Sequence, residues 1–262
     1  PIVESKECAI SNTNQFVASG GQQGKVALFG LVDSVLKWRA PVSGDWGQIR
    51  KLVFSSNDLH VYVGSGDNYL RKVRTSDGFV ERKAFIGGWP FVNGLSLTPD
   101  GQYIAVGTKS CDVSYIRTSD GAVMWTFETG NFEDAVVSPN GQFVGTFSGA
   151  LFSAVTGDLL GRSSTSTSFF TSDSRYLVKP LNQIYLFHPN GQPLGQTNVS
   201  GITLGTSSGS QSQWSHLTSD NTNIIIAARD MGYQNGPTLP AQGILFYTGS
   251  ITTPAGPAPD TM

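Results

Sequence analysis

Short runs of alternating apolar and polar residues cover most of the chain, and compact polar turns separate them. In residues 97–107, LTPDGQYIAVG, a hydroxyl residue and an Asp-Gly turn precede alternating apolar positions. In residues 112–128, DVSYIRTSDGAVMWTFE, the alternation stands on both sides of a second turn. A period of two is typical of half-buried strands, and Asp, Asn and Gly tolerate the backbone of tight turns. No segment has a helical period over ten residues, so the pattern predicts an all-β protein.

The first kind of turn recurs along the chain at a roughly constant interval. Each copy is anchored by a hydroxyl residue, and these anchors are Ser11, Ser55, Thr98, Ser138, Thr171 and Thr218. Successive anchors lie 33 to 47 residues apart, close to the ~40 residues of a four-stranded propeller blade. The sequence therefore predicts six repeats, each with four strands (a to d) joined by an a–b turn, a b–c loop and a c–d turn.

Stacking of these repeats follows from burial, because one sheet cannot cover both of its own faces. Neighbouring sheets must cover each other, and a closed ring removes the exposed ends. We therefore predict a six-bladed β-propeller of four-stranded antiparallel blades over residues 1–253. Pairing of the N-terminal segment 1–6 with the C-terminal segment 243–253 would close the ring. Residues 254–262, PAGPAPDTM, are expected to form a flexible tail rich in Pro and Ala.

One stretch resembles a known family of propeller repeats. Residues 95–127, LSLTPDGQYIAVGTKSCDVSYIRTSDGAVMWTF, are similar to a WD-repeat blade in the first turn, the small-residue b strand and the Asp-Gly turn after strand c. The Gly-His dipeptide before strand a is missing, and Ile116-Arg117 replaces the Trp-Asp pair of strand c. Trp38 and Trp125 are more similar to the quinoprotein-type repeat. The resemblance implies a propeller and favours an interaction scaffold.

Large aromatic residues mark one of the two faces of such a propeller. In an up-and-down blade, the a–b and c–d turns share one face, which we expect to carry only short polar turns. The b–c loops and d–a connections share the other face, at the mouth of the central channel. The aromatic residues of the d–a connections are Trp46, Trp89, Phe91, Phe132 and Trp214. They form either a surface that binds a peptide, sugar or other planar group, or plugs that fill gaps between blades.

One b–c loop is much longer than the others. It is predicted over residues 229–242, RDMGYQNGPTLPAQ, in the sixth repeat. Loops longer than about a dozen residues are uncommon without a function. Arg229, Asp230 and Tyr233 are therefore candidate contact residues, and a tolerated surface insertion is the alternative.

Composition narrows the range of partners. The net charge is −2 and charged residues make up only 14% of the chain, with no basic stripe, which argues against nucleic acid and anionic membranes as partners. No apolar run approaches the ~20 residues of a membrane helix. Abundant Ser, Thr, Gly and Asn lean slightly towards a secreted or surface protein, although a cytoplasmic location stays open. The polar start, PIVESKEC, predicts no signal peptide.

The sequence carries no recognisable catalytic or cofactor motif. His60, His188 and His216 fall in a b strand, a c–d turn and an a strand of different repeats, without metal-ligand spacing. Cys8 and Cys111 are expected to be buried free thiols, or a disulfide in an oxidising compartment. We predict no catalytic residue, cofactor or metal. The acidic residues of the channel-mouth face, which leave a calcium site open, are Asp45, Asp67, Glu133 and Asp230.

These observations favour a non-catalytic scaffold that binds a protein or peptide partner at the channel-mouth face. The first alternative is a ligand- or metal-binding propeller, for a small molecule or glycan, or a calcium-dependent hydrolase or lactonase. The second is a structural subunit of a larger assembly, with the edge of the disc as its contact surface. A fold of this kind hosts many functions, so residues must separate these alternatives.

Overall fold

The computed structural model describes the first two-thirds of the chain most fully. The long described ranges are 5–44, 47–87, 91–110, 112–130 and 134–162. The shorter ones are 169–170, 174, 177–180, 184–187, 193–197, 212–217, 223–228 and 243–248. Side chains are described from Lys6 to Arg162 within the long ranges, and for Phe170 and Ser174. All regular structure in these residues is β-strand, which confirms the all-β prediction.

Consecutive strands form antiparallel sheets in simple meander order. The first two contain β1 (Ser5–Ile10), β2 (Phe16–Gly21), β3 (Lys25–Gly30), β4 (Leu36–Pro41), β5 (Ile49–Phe54), β6 (His60–Ser65), β7 (Tyr69–Arg74) and β8 (Val80–Phe85). The next two contain β9 (Val92–Leu97), β10 (Tyr103–Thr108), β11 (Asp112–Arg117), β12 (Val123–Glu128), β13 (Ala135–Val137), β14 (Phe143–Thr146), β15 (Ala150–Ser153) and β16 (Leu159–Arg162). These four sheets reproduce the predicted strand–turn–strand repeat.

Further strands follow the fourth sheet. One group is β17 (Phe169–Phe170), β18 (Leu177–Pro180), β19 (Ile184–Phe187) and β20 (Pro193–Thr197). The last group has three described strands, β21 (Ser212–Leu217), β22 (Asn223–Ala228) and β23 (Gly243–Thr248).

The predicted closure of the ring is not seen among the described strands. Ser5 and Lys6 belong to β1, whose backbone pairs with Gly20 and Gly21 of β2 and with its neighbours. Both residues therefore extend the first strand of the first sheet, because the backbone of β1 forms its ladder with β2. No described strand from the N-terminal segment pairs with β21–β23. Residues 1–4 and 249–262, including the predicted tail, lie outside the described residues.

In the first four repeats, the hydroxyl anchor closes the a–b turn. Ser138 is 1% exposed, and its Oγ accepts the Phe143 N–H at 2.9 Å and donates to Asn140 Oδ1 at 2.7 Å. The same N–H-to-hydroxyl bond, five residues apart, forms at Ser11, Ser55 and Thr98. Three residues after the first five anchor positions φ is positive, at Asn14, Asp58, Gly101, Gly141 and Ser174. The periodic signal in the sequence is thus a turn that satisfies its own backbone.

Both faces of a sheet are buried against neighbouring sheets. In β6, Val61 and Val63 pack with residues of the first sheet, whereas Tyr62 between them packs with residues of the third. In β15, Phe152 packs with the third sheet and Leu151 with Phe170. Alternation with a period of two therefore places successive side chains in different inter-sheet cores. This confirms that the sheets stack on one another.

Hydrogen bonds also join the a–b turns of neighbouring sheets. The Asp58 carboxylate, in the second sheet, accepts the backbone N–H groups of Asn12 and Thr13 in the first, each at 2.8 Å. Asn12 Nδ2 and Thr13 Oγ1 donate to the same carboxylate, also at 2.8 Å. Burial alone would raise the pKa of Asp58, but the four hydrogen bonds outweigh it and lower the pKa. The ionised carboxylate is therefore the form that links the two sheets.

Two tryptophans form a second link between sheets. Trp38 in β4 donates its Nε1–H to the Thr75 carbonyl at 2.7 Å, and Trp125 in β12 donates to the Ala154 carbonyl at 2.9 Å. Both acceptors lie in the c–d turn of the next sheet. Each ring packs on the glycine of that turn, Gly78 or Gly157. Both tryptophans thus connect neighbouring sheets.

Replacing Gly157 with alanine tests this contact. Its φ is +75°, and an added Cβ would stand 2.7 Å from Trp125 Cγ. Gly130 is a matched control, because its φ is +78° and nothing lies within 4 Å of an added Cβ. We expect Gly130→Ala to cost about 1–2 kcal/mol of unfolding free energy, and Gly157→Ala about 1 kcal/mol more. Equal losses in urea denaturation would contradict the packing of Trp125 on this turn.

Candidate functional site

Hydrogen bonds between turns define the two ends of the stacked sheets. At one end, the Thr118 N–H of a c–d turn donates to the Gln102 carbonyl of an a–b turn at 2.9 Å. At the other end, the Lys109 N–H of a b–c turn donates to the Phe91 carbonyl of a d–a connection at 2.8 Å. We call the end with the a–b and c–d turns the turn face. The loop face comprises the b–c turns (22–24, 66–68, 109–110, 147–149) and the described parts of the d–a connections (42–48, 86–91, 129–134).

The turn face is not uniformly polar, which corrects the expectation from sequence. Val32 is 93% exposed and Val155 84% exposed. The other exposed large apolar residues of this face are Leu31, Val35, Leu59 and Phe79. Asp and Gly are needed only at the turn positions that accept hydrogen bonds or have positive φ. The remaining turn positions carry no such requirement and hold apolar side chains.

Phe91 is the one predicted site residue whose side chain is described. Trp214 lies within β21 and pairs with Ala227 of β22. The prediction that placed Trp214 in a d–a connection is therefore wrong, because the pairing of β21 with β22 already begins at Ser212. The predicted site residues outside the described residues are Trp46, Trp89, Phe132, Arg229, Asp230 and Tyr233. β22 ends at Ala228 and β23 begins at Gly243, bounds that match the predicted connection.

Phe91 connects the second and third sheets at the loop face. An added Cβ on Gly66, in the b–c turn of the second sheet, would stand 3.1 Å from Phe91 Cε1. The Arg50 guanidinium carbon is 4.4 Å from the centroid of the Phe91 ring, and Lys109 Nζ is 5.3 Å from it. Phe91 is half-buried and has a φ of 146°. The ring therefore fills part of the gap between sheets and also holds two cations against it.

A β-bulge presents Arg50 to this site. In β5, Ile49 pairs with Ser65 and Lys51 with Gly64, so Arg50 has no partner in the ladder. A bulge re-aims the side chain of the extra residue. The same irregularity occurs at the second residue of other a strands, skipping Lys6, Asn93 and Gln213. Sequence reasoning missed these residues, although each stands five positions before a hydroxyl anchor.

Arg50 differs from the neighbouring arginine in its partners. Arg71 is 7% exposed, and its Nη1 donates to Ser65 Oγ at 2.7 Å and to Asp67 Oδ1 at 2.8 Å. Arg50 Nε is buried without a hydrogen-bond partner, and Arg50 makes no salt bridge with any described residue. Burial lowers the pKa of Arg50, with no described acid opposing the effect. Arg50 is thus a half-buried cation without a counter-ion in the described part of the chain.

The candidate calcium ligand Asp67 is engaged by Arg71. Burial would raise the pKa of Asp67, but hydrogen bonds from Arg71 and Ser65 lower it. The other acids proposed from sequence, Asp45, Glu133 and Asp230, lie outside the described residues. Within the described ranges, no group of three or more His, Cys, Asp or Glu residues is arranged to hold a metal ion.

Three charged residues lie near the start of the a strands. Glu7 Oε1 in β1 is 3.9 Å from Lys51 Nζ in β5. Burial raises the pKa of Glu7, Lys51 opposes this, and Asp134, before β13, adds to it.

Replacing Glu7 with glutamine is expected to change how stability depends on pH. The raised pKa means that folded protein binds the Glu7 proton more tightly than unfolded protein. The wild type therefore loses stability as the pH rises from the ordinary glutamate pKa of 4.5 through the raised pKa of the folded state. Glu7→Gln should be more stable relative to the wild type at pH 7 than at pH 4. Urea denaturation at pH 4 and pH 7 measures the stability difference between wild type and variant, with the exposed Glu128→Gln as control. The same difference at both pH values would contradict a raised pKa of Glu7.

The remaining candidate groups have ordinary structural surroundings. His60 begins β6 as predicted, and its Nε2 lies 2.9 Å from Glu81 Oε2. Burial and Lys72 lower the pKa of His60 against the effect of Glu81. His216 falls in β21 as predicted, and His188 lies outside the described residues. Cys8 is an exposed free thiol, which corrects the expected burial, because it lies at an outward position of β1. Cys111 lies outside the described residues.

A small cleft lies between the second and third sheets, away from the loop face. Tyr62, Lys72, Arg82 and Thr118 are among the residues that line it. Its cavity volume is about 20 Å³, far below the ~300–1,000 Å³ that is usual for small-molecule sites. Lys72 and Arg82 nevertheless make it a second basic surface.

The loop face combines a half-buried aromatic ring with two cations, and no catalytic arrangement accompanies them among the described side chains. No helix in the described part of the chain has the length and apolarity needed to cross a bilayer. Comparison with models of known protein families and with curated proteins found no match.

Proposed function

We propose that the protein is a non-catalytic scaffold that binds a protein or peptide partner at the loop face. The observation that carries the proposal is the cluster of Arg50, Phe91 and Lys109, in which two cations from different sheets flank one half-buried ring. Aromatic and arginine side chains are enriched at the energetic centres of protein interfaces. The cluster spans two stacked sheets, and a site that is formed before binding lowers the entropic cost of association.

The scaffold itself is proposed to be a six-bladed propeller of the WD-like type. Two features of the described sheets support this. The a strands β1, β5, β9 and β13 adjoin one another in sequence order, as the inner strands of a ring do. The outer strands β4 and β8 contribute links through side chains such as Trp38 and Arg82, whose Nη1 donates to the Asp120 carbonyl at 3.0 Å. In a ring, the loop face would surround the mouth of the channel.

Partner capture by matched variants tests the proposed function. Immobilised wild type, Phe91→Ala and Phe79→Ala would be incubated with extract of the native source, and bound proteins quantified by mass spectrometry. Phe79 is a suitable control, because it also carries an arginine, Arg74, 5.2 Å from its ring centroid, but on the turn face. We expect proteins captured by the wild type to be retained by Phe79→Ala and reduced about tenfold or more by Phe91→Ala.

Folding must be separated from binding in that experiment. Circular dichroism and the thermal midpoint would be measured for each variant, and Lys109→Glu, at an exposed position, adds a loop-face change that leaves the ring in place. Loss of the same proteins with Lys109→Glu supports the proposal. Equal capture by the wild type and both loop-face variants would refute it.

Exposed apolar residues on the outer strands favour a second candidate function, a structural subunit that contacts other chains through its edge. Phe85 in β8 is 60% exposed, and Met124 in β12 is 46% exposed. Further exposed apolar residues of the d strands with described side chains are Leu36, Val123, Leu159 and Leu160. Large exposed apolar patches mark interaction surfaces. If this function holds, Phe85→Lys should disrupt self-association in sedimentation velocity, and Phe91→Ala should not.

A further inference from the structure

We propose that Arg50 and Phe91 form a binding site for a carboxylate group of the partner, supplied by an acidic side chain of a peptide segment. The inference rests on the proposed function and names the chemistry that the loop face recognises. Its basis is the juxtaposition of an arginine without a described counter-ion, an aromatic ring beneath it and a second cation beside it.

Among the described residues, none accepts a hydrogen bond from Arg50 Nε or forms a salt bridge with Arg50. Its guanidinium carbon stands 4.4 Å from the Phe91 ring centroid, and the bulge in β5 removes it from the strand ladder. An arginine held over an aromatic ring still presents the edge of its planar fork, which matches the two oxygens of a carboxylate. Arg50 Nε is shielded from water and has no acceptor. Because Nε is enclosed, an incoming carboxylate would bind the terminal Nη edge of the guanidinium, which offers two donors in the same planar fork.

The electrostatic surroundings favour an anion. Lys109 Nζ lies 5.3 Å from the same ring centroid, so two positive charges share the ring. The nearby acid Asp67 is already bonded to Arg71 through both oxygens, which leaves Arg71 and Asp67 neutral as a pair. Arg71 is an example of an arginine on this face that is bonded to a carboxylate through two nitrogens. Arg50 has the corresponding donors without the partner among the described residues.

A single guanidinium group over an aromatic ring suits a carboxylate better than a phosphate as its ligand. Phosphate sites are usually built from several cations or from backbone N–H groups that converge on the oxygens. Here a single guanidinium stands over the ring, and Lys109 contributes as a point charge. The geometry therefore points to an aspartate or glutamate side chain.

Nuclear magnetic resonance of the arginine Nε–Hε groups tests the site directly. The full chain, labelled with ¹⁵N, would be titrated with N-acetyl tetraglutamate amide, N-acetyl tetraglutamine amide and inorganic phosphate. The Arg50 Nε–Hε resonance would be assigned from the Arg50→Lys spectrum. We expect it to shift and saturate with the glutamate peptide, with an affinity at least about tenfold above that for the glutamine peptide.

Variants locate the binding on the surface. Arg50→Gln should weaken binding of the glutamate peptide by about tenfold or more. Arg50→Lys should also weaken it, because a point charge replaces the fork. Arg39→Gln, at an exposed position of β4, should change the affinity less than about twofold. Lys72→Gln should behave like Arg39→Gln, since Lys72 belongs to the cleft between the second and third sheets.

Several results would overturn the inference. They are an unmoved Arg50 resonance, equal affinity for the two peptides, a phosphate response as strong as that to the glutamate peptide, and loss of binding in Lys72→Gln alone. Partner capture separates this inference from the proposed function. Capture that survives Arg50→Gln but not Phe91→Ala rejects the carboxylate site and leaves the scaffold intact. Capture that survives both variants rejects the proposed function itself.

Discussion

Replacing Phe152 with alanine is expected to lower the free energy of unfolding by about 3–5 kcal/mol. Phe152 in β15 is completely buried, and its ring centroid lies 4.9 Å from that of Phe127 and 5.7 Å from that of Trp125. Truncation would remove the ring that fills the core between the third and fourth sheets. Packed sheets can collapse only partly around the resulting cavity, so the lost contacts are not replaced.

Urea denaturation followed by far-ultraviolet circular dichroism measures this effect without relying on Trp125 fluorescence. Phe79→Ala is the matched control, because Phe79 is 59% exposed and its removal should change stability by less than about 0.5 kcal/mol. A loss below about 1 kcal/mol for Phe152→Ala would mean that the two sheets do not pack through this ring.

Replacing Asp58 with asparagine is expected to cost about 2–4 kcal/mol at pH 7, because hydrogen bonds to a charged group are strong and a mismatched buried donor is costly. Asparagine keeps the shape of the side chain and tolerates the positive φ of 57°. It places an NH₂ group, however, opposite the N–H donors of Asn12 or Thr13, which now meet the carboxylate. The variant should therefore loosen the link between the first and second sheets.

The pH dependence of this effect follows from the lowered pKa of Asp58. Its stabilising contribution is complete above the unfolded-state value of 3.8 and is lost as the pH falls through the folded-state pKa. The difference between the wild type and Asp58→Asn should shrink over that acidic range. Asp77→Asn is the control, since its salt bridge to Arg74 is exposed to solvent and such pairs contribute little to stability. A constant difference down to pH 2 would contradict the role of the charge.

The repeat could be read from sequence because its chemistry is local. Ser138 and Phe143 are five residues apart, and one hydroxyl closes the turn between them. The residue that adopts positive φ is also fixed by nearby sequence, as at Gly141. Any copy of such a turn carries the same residue types, so its period is visible without an alignment.

The candidate site could be predicted only in part. The loop face and Phe91 followed from the repeat, since the ends of antiparallel strands alternate between two faces. Arg50 did not follow, because a bulge depends on how β5 pairs with β6. Lys109 looks like any surface lysine until the third sheet brings it to the ring of Phe91.

Sequence alone determined the strands, their order within each sheet and the turns that join them, because these depend on alternation and on contacts between residues close in the chain. Tertiary structure decided which side chains of neighbouring sheets come into contact. Glu7 and Lys51, Asp58 and Thr13, and Arg50 and Phe91 are each about 40 residues apart in a chain whose repeat has that length. Such pairs form only when neighbouring sheets stack, and their partners are set by the register of packing and not by any local pattern.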